Sequence, residues 1–396
     1  NVYAVADGYI SRIKISNSGY GKAIYITHPN GFTSVYGHLQ NALGVIDEKI
    51  KETQYKEQAY EVEVFLKAGD LVVKKGDIIA LSGNTGGSEG PHLHFEFRES
   101  ATEKIINPMF FGYDKLIPDS KKPIVSALLV YPIDEKSIVN QSQRPVSLNL
   151  SLQADGTYLS EKVLAMGKIG FGISAHDIDN VSYNNNGIYR TELLSNGKTI
   201  FGYQFDEMVF DEARYINYFI DYRRYKSMRQ RVQKMFAKNP YPLSNIFSHS
   251  NNGIFDISAN YNQINRLEVS DFKNNKTIIT IPIEYSVQKT TLVSDVKKTP
   301  YFIKYDREAN FEKENVSVYF PEKTFYEDFY LDFDVANNVL TLHEDLVPVH
   351  SNFTISIEDT KSTEKEKEKM FIASVNGNKL NYITTKLVGT TFSCKT

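Results

Sequence analysis

The chain has 396 residues, of which 41% are hydrophobic and 23% are charged, and its formal net charge is −3. This length predicts two to three domains, and the composition is typical of an ordinary globular protein with an ample core. The small net charge gives no electrostatic argument for binding nucleic acid or an anionic membrane surface. No run of about 18 or more apolar residues predicts a membrane span.

The first predicted elements are β-strands. Residues 1–28 are typical of two strands joined around Asn17-Ser18-Gly19. The following His28-Pro29-Asn30-Gly31 predicts a hairpin turn, because Asn-Gly supplies the positive φ angles that a tight turn needs. Another alternating strand closes with Val35-Tyr36-Gly37-His38-Leu39.

A charged segment, residues 46–60, follows that strand and is rich in helix-forming residues. It predicts either an inserted helix that acts as a lid on a groove or a solvated excursion on the surface. Strand signals resume at residues 59–66. Two turns with glycine at the reversal, Lys67–Asp70 and Lys74–Asp77, follow.

The strongest chemical signal is the segment from Gly90 to Phe97, which follows a glycine-rich loop and alternates apolar with polar residues. Side chains two apart on a strand project from the same face. We therefore expect one face to carry His92, His94, Glu96 and Arg98. The intervening Leu93, Phe95 and Phe97 are expected to fill the core.

Two interpretations of the His-x-His pair remain open at this point. One is a polar strand face with two solvated imidazoles. The other is a rigid pair of nitrogen ligands or proton carriers. Because His38 closes another strand, we expect a third histidine to meet the first two across a sheet, which favours a functional site.

Beyond a polar, proline-punctuated linker at residues 117–124, the pattern is again β. Residues 117–287 predict an immunoglobulin-like β-sandwich with a helical insertion near 207–238, and residues 288–396 predict a second β-sandwich-like domain. The basic residues of the insertion are typical of a surface that binds an anionic partner or of a solvated face. We interpret His249, His343 and His350 as structural or exposed, because none has companion residues at ligand spacing.

Several motifs in order resemble one enzyme family. The opening Val2–Ile10, then Tyr36-Gly37-His38-Leu39, then Gly83-Asn84-Thr85-Gly86, then Gly90–Glu96 are similar to the lysostaphin/LytM-type zinc metallopeptidases, which cut peptide cross-links in peptidoglycan. The resemblance covers roughly residues 1–112, about one domain. It implies an antiparallel β groove peptidase domain (residues 1–116). Together with the two sandwich domains that the strand pattern predicts after it, we expect a mainly β chain.

The resemblance also implies roles for individual residues. His94 would be a zinc ligand, and His92 would be the general base or acid beside the metal. His38 would stabilise the charge that develops on the scissile carbonyl. The residues expected to bind substrate are Tyr36, Asn84, Thr85 and Gly86. A catalytic Zn²⁺ commonly has three protein ligands and a water molecule, which agrees with this assignment.

The sequence departs from the family pattern in one respect. The family's other two protein ligands, a His and an Asp four residues later, lie upstream of Val2-Tyr3-Ala4-Val5. One of three expected ligands is therefore present. Either the chain is the N-terminally incomplete part of a longer polypeptide or the domain has lost its metal, and we expect the first.

Three functions follow as hypotheses. The first is an exported zinc endopeptidase of the bacterial cell envelope, periplasmic or associated with the outer membrane. It would act on peptidoglycan peptides and not on nucleic acid, and its C-terminal β domains would bind protein partners. The second is a catalytically degenerate scaffold or regulatory subunit of an envelope or outer-membrane assembly. The third is an adhesion or carbohydrate-binding module.

Overall fold

The computed structural model describes residues 1–239, 241–336 and 339–396, and it gives the backbone but not the side chains of residues 248 and 249. The interpretation of the His249 side chain therefore lies outside the described residues. The chain divides into two compact units. Unit one contains Asn1–Ser120, Asp179–Val181 and Gln204–Ala213, and unit two contains the remainder of the described chain. The separation of residues 117–287 from 288–396 stays a prediction.

Short strands and few helices form the first 120 residues, as the alternating pattern predicts. The strands are β1 (Val2–Tyr3), β2 (Gly8–Ile15), β3 (Lys22–Thr27), β4 (Phe32–Gly37), β5 (Leu39–Ala42), β6 (Val62–Phe65), β7 (Val72–Val73), β8 (Ile78–Ser82), β9 (His94–Glu99) and β10 (Ile105–Ile106). The helices are α1 (Val45–Glu57), a 3₁₀ turn (Pro108–Phe111) and α2 (Tyr113–Leu116).

Residues 121–285 are also rich in strands. These strands are β11 (Ile124–Pro132), β12 (Ile138–Val139), β13 (Val146–Leu148), β14 (Leu150–Leu152), β15 (Tyr158–Ser160), β16 (Val163–His176), β17 (Arg190–Ser195), β18 (Lys198–Gln204), β19 (Glu207–Met208), β20 (Gln233–Lys234), β21 (Ile246–His249), β22 (Phe255–Ile257), β23 (Asn262–Ser270) and β24 (Lys276–Tyr285). The predicted helical insertion is a series of short pieces, namely a 3₁₀ helix (Phe210–Tyr215), α3 (Ile216–Phe219) and α4 (Tyr222–Met228). A further 3₁₀ segment covers Ser250–Gly253.

The last hundred residues carry shorter strands. They are β25 (Phe302–Ile303), β26 (Ala309–Lys313), β27 (Val316–Phe320), β28 (Phe329–Tyr330), β29 (Phe333–Ala336), β30 (Val339–Leu342), β31 (Thr354–Glu358), β32 (Ala373–Asn376), β33 (Lys379–Tyr382), β34 (Thr385–Val388) and β35 (Thr391–Lys395), with helix α5 (Glu364–Lys367). The mainly β class is thus confirmed, and the two-sandwich arrangement stays a prediction.

Unit one consists of two sheets around one core. The larger has the strand order β19-β10-β9-β4-β3-β2-β6, with β7 also paired to β2, and the smaller has the order β1-β8-β5. The core takes apolar residues from both sheets, including Ile13, Ile24 and Ile79, together with Ile46 and Ile50 of α1. The charged segment after His38 is therefore a helix anchored by its apolar face, and its function as a lid stays a prediction.

The predicted hairpin at Asn30-Gly31 is confirmed, because β3 and β4 pair directly across it and Gly31 has a φ of 86°. Three histidines outside the His-x-His region have structural partners. The His28 ring is buried between the Asp7 carbonyl and the Ser34 hydroxyl.

In unit two, His343 Nδ1 accepts the Asp332 N–H, and His350 Nδ1 lies 3.1 Å from the Tyr326 hydroxyl. The structural interpretation of these two histidines is confirmed.

The largest sheet of unit two has the order β13-β11-β16-β24-β23-β17-β18-β21, and a five-stranded sheet in the last hundred residues has the order β26-β27-β31-β35-β34. Buried aromatic residues support both, for example Phe171 in the first and Phe320 in the second. In the described part of the chain, no helix is long and apolar enough to cross a membrane.

Candidate functional site

The rings of His38, His92 and His94 converge in unit one, and we call them the histidine cluster. The His38 ring centroid lies 4.8 Å from that of His92 and 5.6 Å from that of His94. The prediction that three imidazoles meet across neighbouring extended segments is confirmed.

Strand register delivers two of these rings to one place. In the antiparallel pair of β4 and β9, Gly37 lies opposite His94. A side chain at position 37 would crowd the site, since a Cβ there would lie 3.2 Å from His94 Cβ. His38 follows immediately in the left-handed region, with φ of 55°, which is uncommon for a residue other than glycine and is concentrated at functional sites.

Backbone carbonyls fix the tautomers of two rings. His38 Nδ1 lies 2.7 Å from the Thr85 carbonyl oxygen, and His92 Nδ1 lies 2.8 Å from that of Gly90. Because a carbonyl only accepts, each Nδ1 carries its proton and donates. The Nε2 atom of each neutral ring is then the acceptor, and no described residue forms a hydrogen bond to it.

The third ring has the opposite arrangement. His94 Nε2 lies 2.6 Å from a carboxylate oxygen of Glu96, which also accepts the Tyr20 hydroxyl at 2.6 Å. The other carboxylate oxygen accepts Arg98 Nε at 2.7 Å. His94 therefore carries its proton on Nε2 and leaves Nδ1 as the acceptor, with no hydrogen-bond partner among the described residues.

The electrostatics of Glu96 support this tautomer. The carboxylate is only 6% exposed, and burial alone raises its pKa. Hydrogen bonds from His94 and Tyr20 and the charge of Arg98 outweigh burial and lower the pKa of Glu96 to about 2. Burial and the bond to Glu96 raise the pKa of Tyr20. Glu96 is thus an ionised acceptor and Tyr20 a neutral donor near neutral pH.

The glycine-rich loop carries Thr85, whose carbonyl holds the His38 ring. The Thr85 hydroxyl accepts the Lys22 N–H and donates to the Leu39 carbonyl, which uses both of its functions inside the protein. Gly86 has a φ of 74°, and a Cβ there would lie 2.3 Å from the backbone nitrogen of Gly21. The loop therefore docks by backbone against the hairpin, and only glycine fits at this contact.

The residues expected to bind substrate divide into three kinds. Asn84 is exposed and stays a candidate, whereas Thr85 and Gly86 have the structural contacts just described. Tyr36 is 1% exposed in the core, where its hydroxyl accepts from Ser34 and the Val5 N–H. Its side chain cannot reach a substrate, so the expectation for Tyr36 is wrong.

The expected core face is also only partly correct. Phe97 is buried and Phe95 packs against the core, but Leu93 is 39% exposed because β9 begins at His94. Sequence reasoning missed Tyr20, whose ring centroid lies 4.7 Å from that of His94. Tyr20 and Glu96 are 76 residues apart, so no local pattern could have paired them.

The donor set around His94 fits one protein ligand of a metal ion. His94 Nδ1 is an oriented nitrogen with a carboxylate behind the ring, which is the usual arrangement of metal-binding histidines. Among the described residues, no group of three or more imidazole, carboxylate or thiolate side chains at ligand distance includes His94. The described residues thus supply one ligand and not a complete set.

Comparisons with known proteins give two family matches in different parts of the chain. Residues 1–55 and 52–108 match the model of peptidase family M23, and residues 300–396 match the model of the Zu5-like domain. An uncharacterized metalloprotease of Haemophilus influenzae is 35% identical over 108 residues, which are 27% of this chain and 18% of that protein.

The peptidoglycan DD-endopeptidase ShyC of Vibrio cholerae is 30% identical over 103 residues, 26% of this chain and 18% of that protein. The catalytic domain of the antimicrobial peptidase lysostaphin from Staphylococcus simulans has 30% identity, covers 28% of this chain and 68% of that chain, and gives a TM-score of 0.20. The matched region spans less than a fifth of the length of either curated relative.

Proposed function

We propose, on the premise that residues 1–108 form a peptidase family M23 domain, that the protein is a zinc metalloendopeptidase that cleaves peptide cross-links of peptidoglycan. Its relatives carry the names metalloprotease and peptidoglycan DD-endopeptidase. The observation that carries the proposal is the histidine cluster, in which each ring has one nitrogen fixed by the protein and the other left available.

The tautomers indicate a different role for each of the three rings. His94 would hold the metal through Nδ1, because Glu96 occupies Nε2. When bound, zinc supplies Lewis-acid activation of water and of the scissile carbonyl. The His92 ring, held at Nδ1 by Gly90, would accept the proton of the attacking water at Nε2 and pass it to the leaving amine.

His38 would bind the oxygen of the scissile carbonyl. Its Nδ1–H is committed to the Thr85 carbonyl, so a second proton can enter only at Nε2. In that protonated state Nε2–H donates a hydrogen bond to the developing negative charge. The same carbonyl prevents the ring from turning away, which reduces the reorganisation needed in the transition state.

The second candidate is a scaffold or regulatory subunit that keeps the fold without hydrolysis. The three histidines favour the enzyme instead, since packing alone does not require three unpaired ring nitrogens in one place. The Zu5-like residues 300–396 and the β-rich segment before them would serve either function by binding a protein partner.

Metal content and turnover separate the two candidates. Full-length protein is expected to bind about one zinc per chain and to hydrolyse a cross-linked muropeptide. His92→Ala should abolish turnover and keep the metal, whereas His94→Ala should lose both. His176→Ala, in unit two, is the matched histidine control and should change neither. Full zinc content in His94→Ala would contradict the ligand assignment, and absence of hydrolysis with zinc bound would favour the scaffold.

The proposed place of action is the bacterial cell envelope, periplasmic or associated with the outer membrane, because the proposed polymer lies outside the cytoplasm. Cell fractionation with an antibody against the full chain is the direct check. Recovery of the protein only with cytoplasmic markers would contradict the proposal.

A further inference from the structure

Residues 204–213 belong to unit one, although the residues before and after them in sequence belong to unit two. Its strand β19 pairs antiparallel with β10 and extends the large sheet at that edge. Asn107 holds the beginning of the segment, since its side-chain amide donates to the Phe205 carbonyl and its backbone N–H donates to the Asp206 carbonyl. Lys104 and Glu207, 103 residues apart, form an ion pair at 2.6 Å.

This segment places an aromatic ring on a buried cation. The guanidinium carbon of Arg98 lies 4.6 Å from the centroid of the Phe210 ring, within the range of a cation–π contact. Tyr25 and Tyr20 pack against the same guanidinium at 5.3 and 5.7 Å. Arg98 is only 3% exposed, so three aromatic rings and its acidic partners replace most of its water.

From Arg98 the contacts lead to the histidine cluster. Arg98 Nε donates to one oxygen of Glu96, and the other oxygen of Glu96 accepts His94 Nε2–H. Arg98 also has an outward partner, because its Nη1 donates at 2.9 Å to Glu103, whose side chain is 56% exposed. The guanidinium is therefore held between a buried carboxylate that orients His94 and an exposed one that does not.

We propose that Phe210 is a positioning residue for the site. It contacts Arg98, Arg98 orients Glu96, and Glu96 holds His94 in the Nε2–H tautomer. An effect of Phe210 on hydrolysis rests on the proposed function. Its effect on the His94 tautomer rests on the contacts alone. The M23 domain is then completed by a segment that the chain supplies more than 90 residues downstream of the family match.

The physical reason is the competition at Arg98. Phe210 lines a pocket of about 300 Å³ together with Arg98, Tyr20 and Glu103. Removal of the ring would admit water to the guanidinium and favour its rotation toward Glu103. Glu96 would then lose the donor that fixes its plane, and the His94 ring would exchange between its two neutral tautomers.

The test uses the full chain with ¹⁵N-labelled histidine. In the wild-type protein without added metal, the His94 ring nitrogens should show protonated Nε2 and unprotonated Nδ1. Phe210→Ala should move both nitrogen shifts toward the average of the two tautomers, and Phe210→Tyr should restore them. Met208→Ala, on the same segment, is the control and should leave them unchanged. Unchanged His94 shifts in Phe210→Ala would overturn the inference.

A second variant is needed in case Phe210→Ala detaches residues 204–213 from the sheet. If amide exchange in β10 shows that Phe210→Ala releases β19, Arg98→Lys decides, because lysine keeps the charge and loses the planar contacts. Averaged His94 nitrogen shifts in Arg98→Lys would support the role of Arg98 between Phe210 and Glu96. Shifts equal to those of the wild type would overturn the inference.

In the hydrolytic protein, Phe210→Ala should lower zinc affinity or kcat by about tenfold, the low end for residues behind a ligand, with KM unchanged. A full-length protein that binds zinc but hydrolyses nothing, and in which Phe210→Ala still averages the His94 nitrogen shifts, would contradict the proposed function and leave this inference standing.

Discussion

Replacing the buried carboxylate behind His94 tests the electrostatics of the site most directly. Glu96→Gln keeps the shape and one acceptor oxygen but removes the charge. The pKa of Glu96 is about 2 in the folded protein and 4.5 ordinarily, a difference of about 2.5. At about 1.36 kcal/mol per pKa unit, this corresponds to about 3 kcal/mol of stability at neutral pH.

The sign follows from the lowered pKa. A carboxyl group with a lower pKa in the folded state stabilises the protein fully above its unfolded value, here 4.5, and loses that contribution as pH falls toward about 2. The difference between wild type and Glu96→Gln should be about 3 kcal/mol at pH 7 and about half of that at pH 3.

Amide hydrogen exchange in β9 is the suitable assay, because it reports the opening of unit one without requiring a two-state transition of the whole chain. At pH 7 the slowest β9 amides of Glu96→Gln should exchange about 100-fold faster than in the wild type. Glu99→Gln, on the same strand with its carboxylate bonded to the Thr102 hydroxyl, is the control and should differ little. Equal protection at pH 7, or a difference that does not shrink at pH 3, would refute the reasoning.

Two further substitutions test packing in each unit. Gly86→Ala should destabilise unit one by about 2 kcal/mol or more and disturb His38, because the left-handed φ costs about 1–2 kcal/mol and the new Cβ meets the Gly21 backbone. Thermal unfolding checks it against Gly90→Ala, where no heavy atom lies within 4 Å, and equal midpoints would contradict it. Glu327→Ala should destabilise unit two by about 3–5 kcal/mol because Lys234, 9% exposed, keeps a buried charge. Urea unfolding, monitored by amide hydrogen exchange in β20, measures this loss. A change below about 1 kcal/mol would show that other groups stabilise the Lys234 charge.

Period-2 alternation was sufficient to predict much of the site. It placed His94, Glu96 and Arg98 on one face of a strand, and the second alternating strand brought His38 to the same place. These are local patterns, and the Asn30-Gly31 hairpin joins only β3 to β4, whereas the pairing of β4 with β9 that brings His38 and His94 together is long-range. The tautomers could not be predicted, because they depend on which carbonyl or carboxylate lies behind each ring.

The remaining errors have the same physical origin. Tyr36 lies on a strand whose neighbours are also buried, so alternation alone could not tell which face meets the core. The contact of Phe210 with Arg98 joins residues with no shared periodicity, and basic residues around it favoured a solvated helical insertion. Short helices are indeed present there, but the beginning of the segment forms a sheet edge instead.

The late arrival of β19 has a consequence during synthesis. The ribosome completes β10 about 100 residues before it completes β19, which is about 5–20 s at ordinary elongation rates. During that interval the outer hydrogen-bonding groups of Ile105 and Ile106 have no neighbouring strand, and an open apolar edge invites pairing with other nascent chains. A polysome translating this protein therefore presents this edge before the chain can cover it.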